Sequence, residues 1–212
     1  MIERRPLLRG YFHLAAAGAA IVGCVALLLL ADSAEAYVGG GVFAASLIAL
    51  YSISATYHTI TWGERMRAVL KRLDHAMIFV LIAGSYTPFC LIAVSQAWGI
   101  ALLAIVWSIA GAGVVLKIAW PGAPRWLGVG LYLGTGWIAL VAATELADWF
   151  AVLPLVLLAG GGVLYSIGGV IYALRRPDPF PRVFGYHEVF HLFVIGGSIA
   201  HYSIVAGYLM PS

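Results

Sequence analysis

All 12 Lys and Arg residues of this chain fall before, or in every second gap between, seven long apolar stretches. The stretches run near residues 11–31, 38–60, 74–94, 98–118, 127–144, 150–174 and 187–210. All seven are long enough to cross about 30 Å of hydrocarbon, which takes about 20 helical residues. The fifth is the weakest, being short and carrying Gly128, Gly130, Gly134 and Gly136. Arg4, Arg5 and Arg9 precede the first stretch, and Arg65, Arg67, Lys71 and Arg72 separate the second from the third. Lys117 and Arg125 stand between the fourth and fifth, and Arg175, Arg176 and Arg182 between the sixth and seventh. The alternate gaps hold Asp32, Glu35, Glu145 and Asp148 and no basic residue. Basic loops stay cytoplasmic, so the N-terminus is expected inside and the C-terminus outside. Gaining or losing a crossing would scramble this partition.

Composition decides the fold class. With 63% hydrophobic and 10% charged residues, the chain lies outside the soluble globular range. A spanning segment must satisfy its backbone hydrogen bonds internally, so the expected fold is an all-α seven-transmembrane helix bundle, one domain over residues 1–212. No soluble domain or nucleic-acid partner is expected. Cys24 and Cys90 lie in different apolar stretches without metal-type spacing, so no disulfide framework is expected. Arg4-Arg5, the apolar run and Ala34-Glu35-Ala36 have the outline of a signal peptide. The run exceeds the usual signal core of about 7–15 residues, so a retained first helix is expected. Glycine pairs and triplets inside the stretches suit close helix packing. Pro177, Pro179 and Pro181 make the sixth loop a stiff extended connector.

Ionisable groups at membrane depth cost several kcal/mol, about 2.5–3.5 at a helix centre, and mark function. With the topology above, His58 lies near the cytoplasmic end of the second stretch, with Ser54 one turn deeper on the same face. Asp74 and His75 open the third, and His187 and His191 the seventh. Hydropathy and loop charge alone therefore bring His58, Asp74, His187 and His191 to similar depth on one side. Three neutral imidazoles plus a water make an open zinc site, if His58 faces the other two. Asp74 would then orient or deprotonate the water, and Ser54 could donate a hydrogen bond to a substrate oxygen.

His187-Glu188-Val189-Phe190-His191 also spells the zinc-protease pattern H-E-x-x-H, which would make Glu188 the general base. The extended metzincin form fails because Val194 stands where glycine is required, and no acidic residue follows Glu188. A protease reading would have to take Asp74 as third ligand. Glu188 points about 100° from His187 on a helix and need not face a metal. His75 is expected in packing or at the lipid interface, His13 at the interface, and His201 as a buried hydrogen-bonding residue deeper in the bundle.

Ser54-Ala55-Thr56-Tyr57-His58, Leu73-Asp74-His75 with Gly84-Ser85-Tyr86-Thr87-Pro88, and His187-Glu188-Val189-Phe190-His191-Leu192-Phe193 together resemble the haemolysin III family. That family is the bacterial branch of the progestin and adipoQ receptor superfamily, grouped with alkaline ceramidases. The resemblance implies a zinc ion (Zn2+) held by His58, His187 and His191, with Asp74 holding the water at the metal and Ser54 as the signature serine. It also implies a multi-pass protein of a bacterial inner membrane, linked to membrane-lipid homeostasis, whose partner is a membrane lipid. Three functions follow from these expectations: zinc-dependent hydrolysis of a lipid amide or ester, a non-enzymatic zinc-binding sensor or regulator, and a haemolysin-type membrane-perturbing protein. No stretch carries the repeated polar stripe of a water-filled channel, which ranks the last lowest.

Overall fold

A computed structural model describes residues 6–210, so the expectation for Arg4 and Arg5 lies outside the described residues. Among the described residues, eight α-helices run in chain order: α1 Tyr11–Leu30, α2 Ala34–Thr59, α3 Glu64–Ile92, α4 Gln96–Ala119, α5 Arg125–Trp137, α6 Ala143–Trp149, α7 Val152–Leu174 and α8 Tyr186–Ile204. Seven segments of the described residues are long and apolar enough to cross a membrane, because α5 and α6 form one of them, Arg125–Trp149. Neighbours in sequence pack side by side: α1 on α2, α2 on α3, α3 on α4, and α7 on α8.

The helix starts differ from the hydropathy boundaries where polar residues are helical. The third helix begins at Glu64 rather than 74, so Asp74 and His75 sit well inside it. The second begins at Ala34, where the Ser33 hydroxyl accepts from the Ala36 N–H at 3.2 Å. Residues 34–36 are therefore the first turn of α2, with Ala36 fully buried.

The fifth span, expected to be the weakest for its shortness and its glycines, is broken. The α-helix ends at Trp137 and a 3₁₀ segment, Ile138–Ala142, leads into α6. A break inside a membrane leaves backbone groups that need partners. Tyr86 of α3 supplies them: its hydroxyl lies 2.9 Å from Thr135 O and 2.7 Å from Gly136 O, and accepts from the Ala139 N–H at 2.7 Å. At the same end of the bundle the Glu145 carboxylate accepts from the Ser95 N–H (2.6 Å) and hydroxyl (3.0 Å), tying the fifth span to the start of α4.

The α7–α8 pair shows why small residues are frequent. A Cβ on Gly197 would lie 2.9 Å from the Tyr165 ring, and one on Gly168 2.9 Å from Phe193 Cβ. The glycines let each helix receive side chains of the other.

Tyr86→Phe removes the hydroxyl that serves the broken span. We expect a loss of about 1–3 kcal/mol, read as a lower midpoint of thermal unfolding in detergent. An unchanged midpoint would show that the break is satisfied by other groups.

Candidate metal centre

The site is set by how α8 begins. Gly185 precedes the helix, and the Glu188 carboxylate, three residues on, accepts the Gly185 N–H at 2.7 Å. Asp178 accepts the Tyr186 N–H at 2.9 Å. These bonds satisfy donors that a helix N-terminus leaves open. Glu188 is fully buried and is neutralised by Arg9, whose Nε bonds it directly and whose Nη2 lies 3.5 Å away. Arg9 is positioned by backbone bonds just before it, where the Leu7 and Leu8 N–H groups donate to Arg182 O and Val183 O at 3.1 Å each. Gly10 follows with φ 89°, and a Cβ there would fall 2.7 Å from His58 Cβ. Only glycine suits both the left-handed backbone and that approach. The ends of α1, α2 and α8 are thereby locked together.

Within this frame three imidazoles converge. His58 lies in the last turn of α2, and His187 and His191 on the first turns of α8. One ligand nitrogen from each lies within 4.8 Å of the others, and all three residues are buried. His58 Nε2 and His187 Nε2 are 3.1 Å apart. Asp74 Oδ2 is 3.7 Å from His58 Nε2. The donor set fits a metal ion: it is nitrogen-rich, enclosed and has the Asp74 carboxylate beside it as a proton acceptor. His191 Nδ1 has no hydrogen-bond partner among the described residues, an unfavourable state for a buried polar atom. The cluster could hold a metal ion, and these contacts do not select its identity.

The cluster stands at one end of a cavity of about 350 Å³. Ser54, Asp74, His187 and His191 line its polar end, and Ile78, Ile82, Phe89 and Leu102 continue an apolar lining along α3 and α4. From Asp74 to Cys90, both in the lining, the rise of α3 is about 24 Å. On the α5–α7 side the lining includes Gly136, Leu140, Gly162 and Ser166. Ser54 Oγ is buried and has no hydrogen-bond partner among the described residues.

The five predicted residues, Ser54, His58, Asp74, His187 and His191, thus meet in one place. Glu188 is engaged with Arg9 and Gly185 instead. His75 turns aside: its Nδ1 donates to Lys71 O at 2.6 Å, which leaves Nε2 of a neutral ring to accept from Tyr172 at 2.8 Å. His201 donates from Nε2 to Leu158 O at 3.3 Å, as a hydrogen-bonding residue farther along the cavity.

His13 corrects the expectation of an interfacial residue. It is buried and stacks on His191, ring centroids 3.6 Å apart and planes 13° apart. Neither of its nitrogens has a hydrogen-bond partner among the described residues. The available signal was the spacing Arg9–His13, which matches one helical turn and meets Glu188 and His191 in the same order. Reading it required knowing that α1 packs on α8.

Arg9→Gln should strand the buried Glu188 carboxylate. We expect a loss of roughly 3–5 kcal/mol, the usual cost of removing one partner of a buried pair, measured by thermal unfolding in detergent. The double variant Arg9→Gln/Glu188→Gln should regain part of it, since no unpaired charge remains.

A family model described as "Haemolysin-III related" matches residues 2–202. The chain is 37% identical over 167 residues to "Hemolysin-3 homolog" of Bacillus subtilis (strain 168), covering 79% of this chain and 75% of that protein. It is 34% identical over 199 residues to "Hemolysin-3" of Bacillus cereus, covering 91% and 88%. It is 25% identical over 197 residues to "Monocyte to macrophage differentiation factor" of Homo sapiens, covering 91% and 79%. The chain therefore belongs to the haemolysin-III family, homologous to monocyte to macrophage differentiation factors and adiponectin receptors within the progestin and adipoQ receptor superfamily.

Proposed function

We propose that this protein is a zinc-dependent hydrolase that cleaves an amide or ester of a membrane lipid. The carrying observation is the juxtaposition of three buried imidazoles, a carboxylate 3.7 Å from one of them, and the head of a long apolar cavity. His58, His187 and His191 would hold the ion, and nitrogen donors in this number suit zinc. When bound there, zinc supplies Lewis acidity that polarises a carbonyl and makes water acidic enough to act near neutral pH.

The chain's own groups account for the rest. The apolar cavity takes the acyl chain and excludes water from it. Asp74 accepts a proton from the attacking water and can return it to the leaving amine or alcohol. The Ser54 hydroxyl donates to the carbonyl oxygen as negative charge develops there. The lipid enters laterally between α5 and α7, whose Gly136 and Gly162 line the cavity. The whole chain works as one domain in the plasma (inner) membrane of a bacterium. The N-terminus and the histidine cluster face the cytoplasm and the C-terminus faces outward, the orientation that the basic loops favour.

Purified without chelators, the protein should carry about one zinc ion per chain, and His191→Ala should lose most of it by elemental analysis. Zinc-free wild type would sink the metal assignment. Asp74→Asn should keep the metal while turnover falls by about 10²–10⁴-fold, followed by mass spectrometry of a panel of ceramides, lysolipids and glycerolipids. If the zinc-loaded wild type cleaves none of them, the hydrolase reading fails even though the metal site stands.

A further inference from the structure

Five of the 12 basic residues gather in a second hollow, of about 580 Å³. Lys71 and Arg72 come from α3, Lys117 from the last turn of α4, Arg125 from the first turn of α5, and Arg175 from the residue that ends α7. Residues from four helices thus meet on one surface. No carboxylate lines the hollow, and among the described residues none of the five forms a salt bridge. Bringing unpaired like charges together is unfavourable unless an anion offsets them.

Membrane topology alone explains basic residues on this end of the bundle, but not a hollow made of them. Arg65, Arg67 and Arg182 meet the topological need and stand exposed on the surface. Lys71 and Arg175 are likewise exposed, but Lys117 and Arg125 are half-buried and held in place. The Lys117 ammonium lies 5.4 Å from the Tyr132 ring centre, in space left by Gly128. The Arg125 guanidinium lies 5.0 Å from the Tyr172 ring centre and donates to Tyr172 O at 3.4 Å. Such contacts hold long side chains in place before any ligand arrives. Arg175 has φ 57°, a helix-ending conformation that favours glycine, yet an arginine occupies it. Trp120, exposed at the rim, is the kind of side chain that sits at headgroup level.

We propose that this hollow binds a phosphate group, the oxyanion that guanidinium forks and ammonium groups jointly recognise. Its place at the helix ends suits the headgroup of an anionic phospholipid, as for basic pockets between transmembrane helices generally. Free phosphate shares that chemistry. The site is distinct from the histidine cluster and does not depend on a metal there. The wall between the two spaces is nevertheless thin: His75, Tyr132 and Tyr172 line both.

The test uses the full chain in nanodiscs of phosphatidylcholine with and without phosphatidylglycerol, with retained lipid read by native mass spectrometry. Wild type should retain phosphatidylglycerol in preference to phosphatidylcholine. Lys117→Gln/Arg125→Gln should weaken that retention by about 25-fold, at roughly fivefold for each basic side chain near a membrane surface. Arg65→Gln/Arg67→Gln removes equal charge from the exposed start of α3 and should leave retention unchanged. Displacement of the lipid by millimolar inorganic phosphate, with a raised unfolding midpoint, would support the site and identify free phosphate as a ligand. Retention without displacement would support it with the lipid as the ligand. Equal loss in both double variants, or no preference in wild type and no stabilisation by phosphate, would overturn the proposal. The wild-type comparison decides by itself should the hollow variant fail to fold.

Discussion

The buried carboxylate of Glu188 is the interaction on which the rest of the site depends. A charged group without solvent must be paired, and Arg9 is its partner. The same carboxylate caps α8 at Gly185, so one side chain sets both where the last helix starts and what it lies against. His187 and His191 flank it on the first two turns of α8, and His58 is held opposite by the close approach at Gly10. A group that belongs to the H-E-x-x-H pattern thus acts by placing its neighbours rather than by facing the metal cluster.

The apolar medium explains the other irregular feature. In water a broken helix can bond to solvent, whereas in hydrocarbon the break at Trp137 has to be served by protein. Tyr86 does so from α3. The broken span, with glycines at Gly128, Gly130, Gly134 and Gly136, forms one wall of the long cavity and one side of the basic hollow.

Much of the fold was legible beforehand, because a bilayer turns length and polarity into structure. Seven apolar runs correspond to seven segments able to cross. Starts were misread at Glu64 and Ala34, since hydropathy responds to polarity whereas helix formation continues through polar turns at a surface. The candidate residues Ser54, His58, Asp74, His187 and His191 were legible because charge at membrane depth is costly and therefore conspicuous. His13 was not, because a histidine near a helix start has an ordinary explanation in sequence; its stacking on His191 depends on which helix lies beside α1.

The sequence by itself determined the all-helical class and the seven apolar segments, because each follows from residues close together in the chain. Only the tertiary structure decided which faces meet: that His58 turns toward His187, that Glu188 pairs with Arg9, and that basic residues from four helices share one hollow. Those outcomes depend on helix rotation and neighbour choice. Nearly uniform apolar stretches leave both unspecified until small residues, buried charges and backbone breaks find their partners across the bundle.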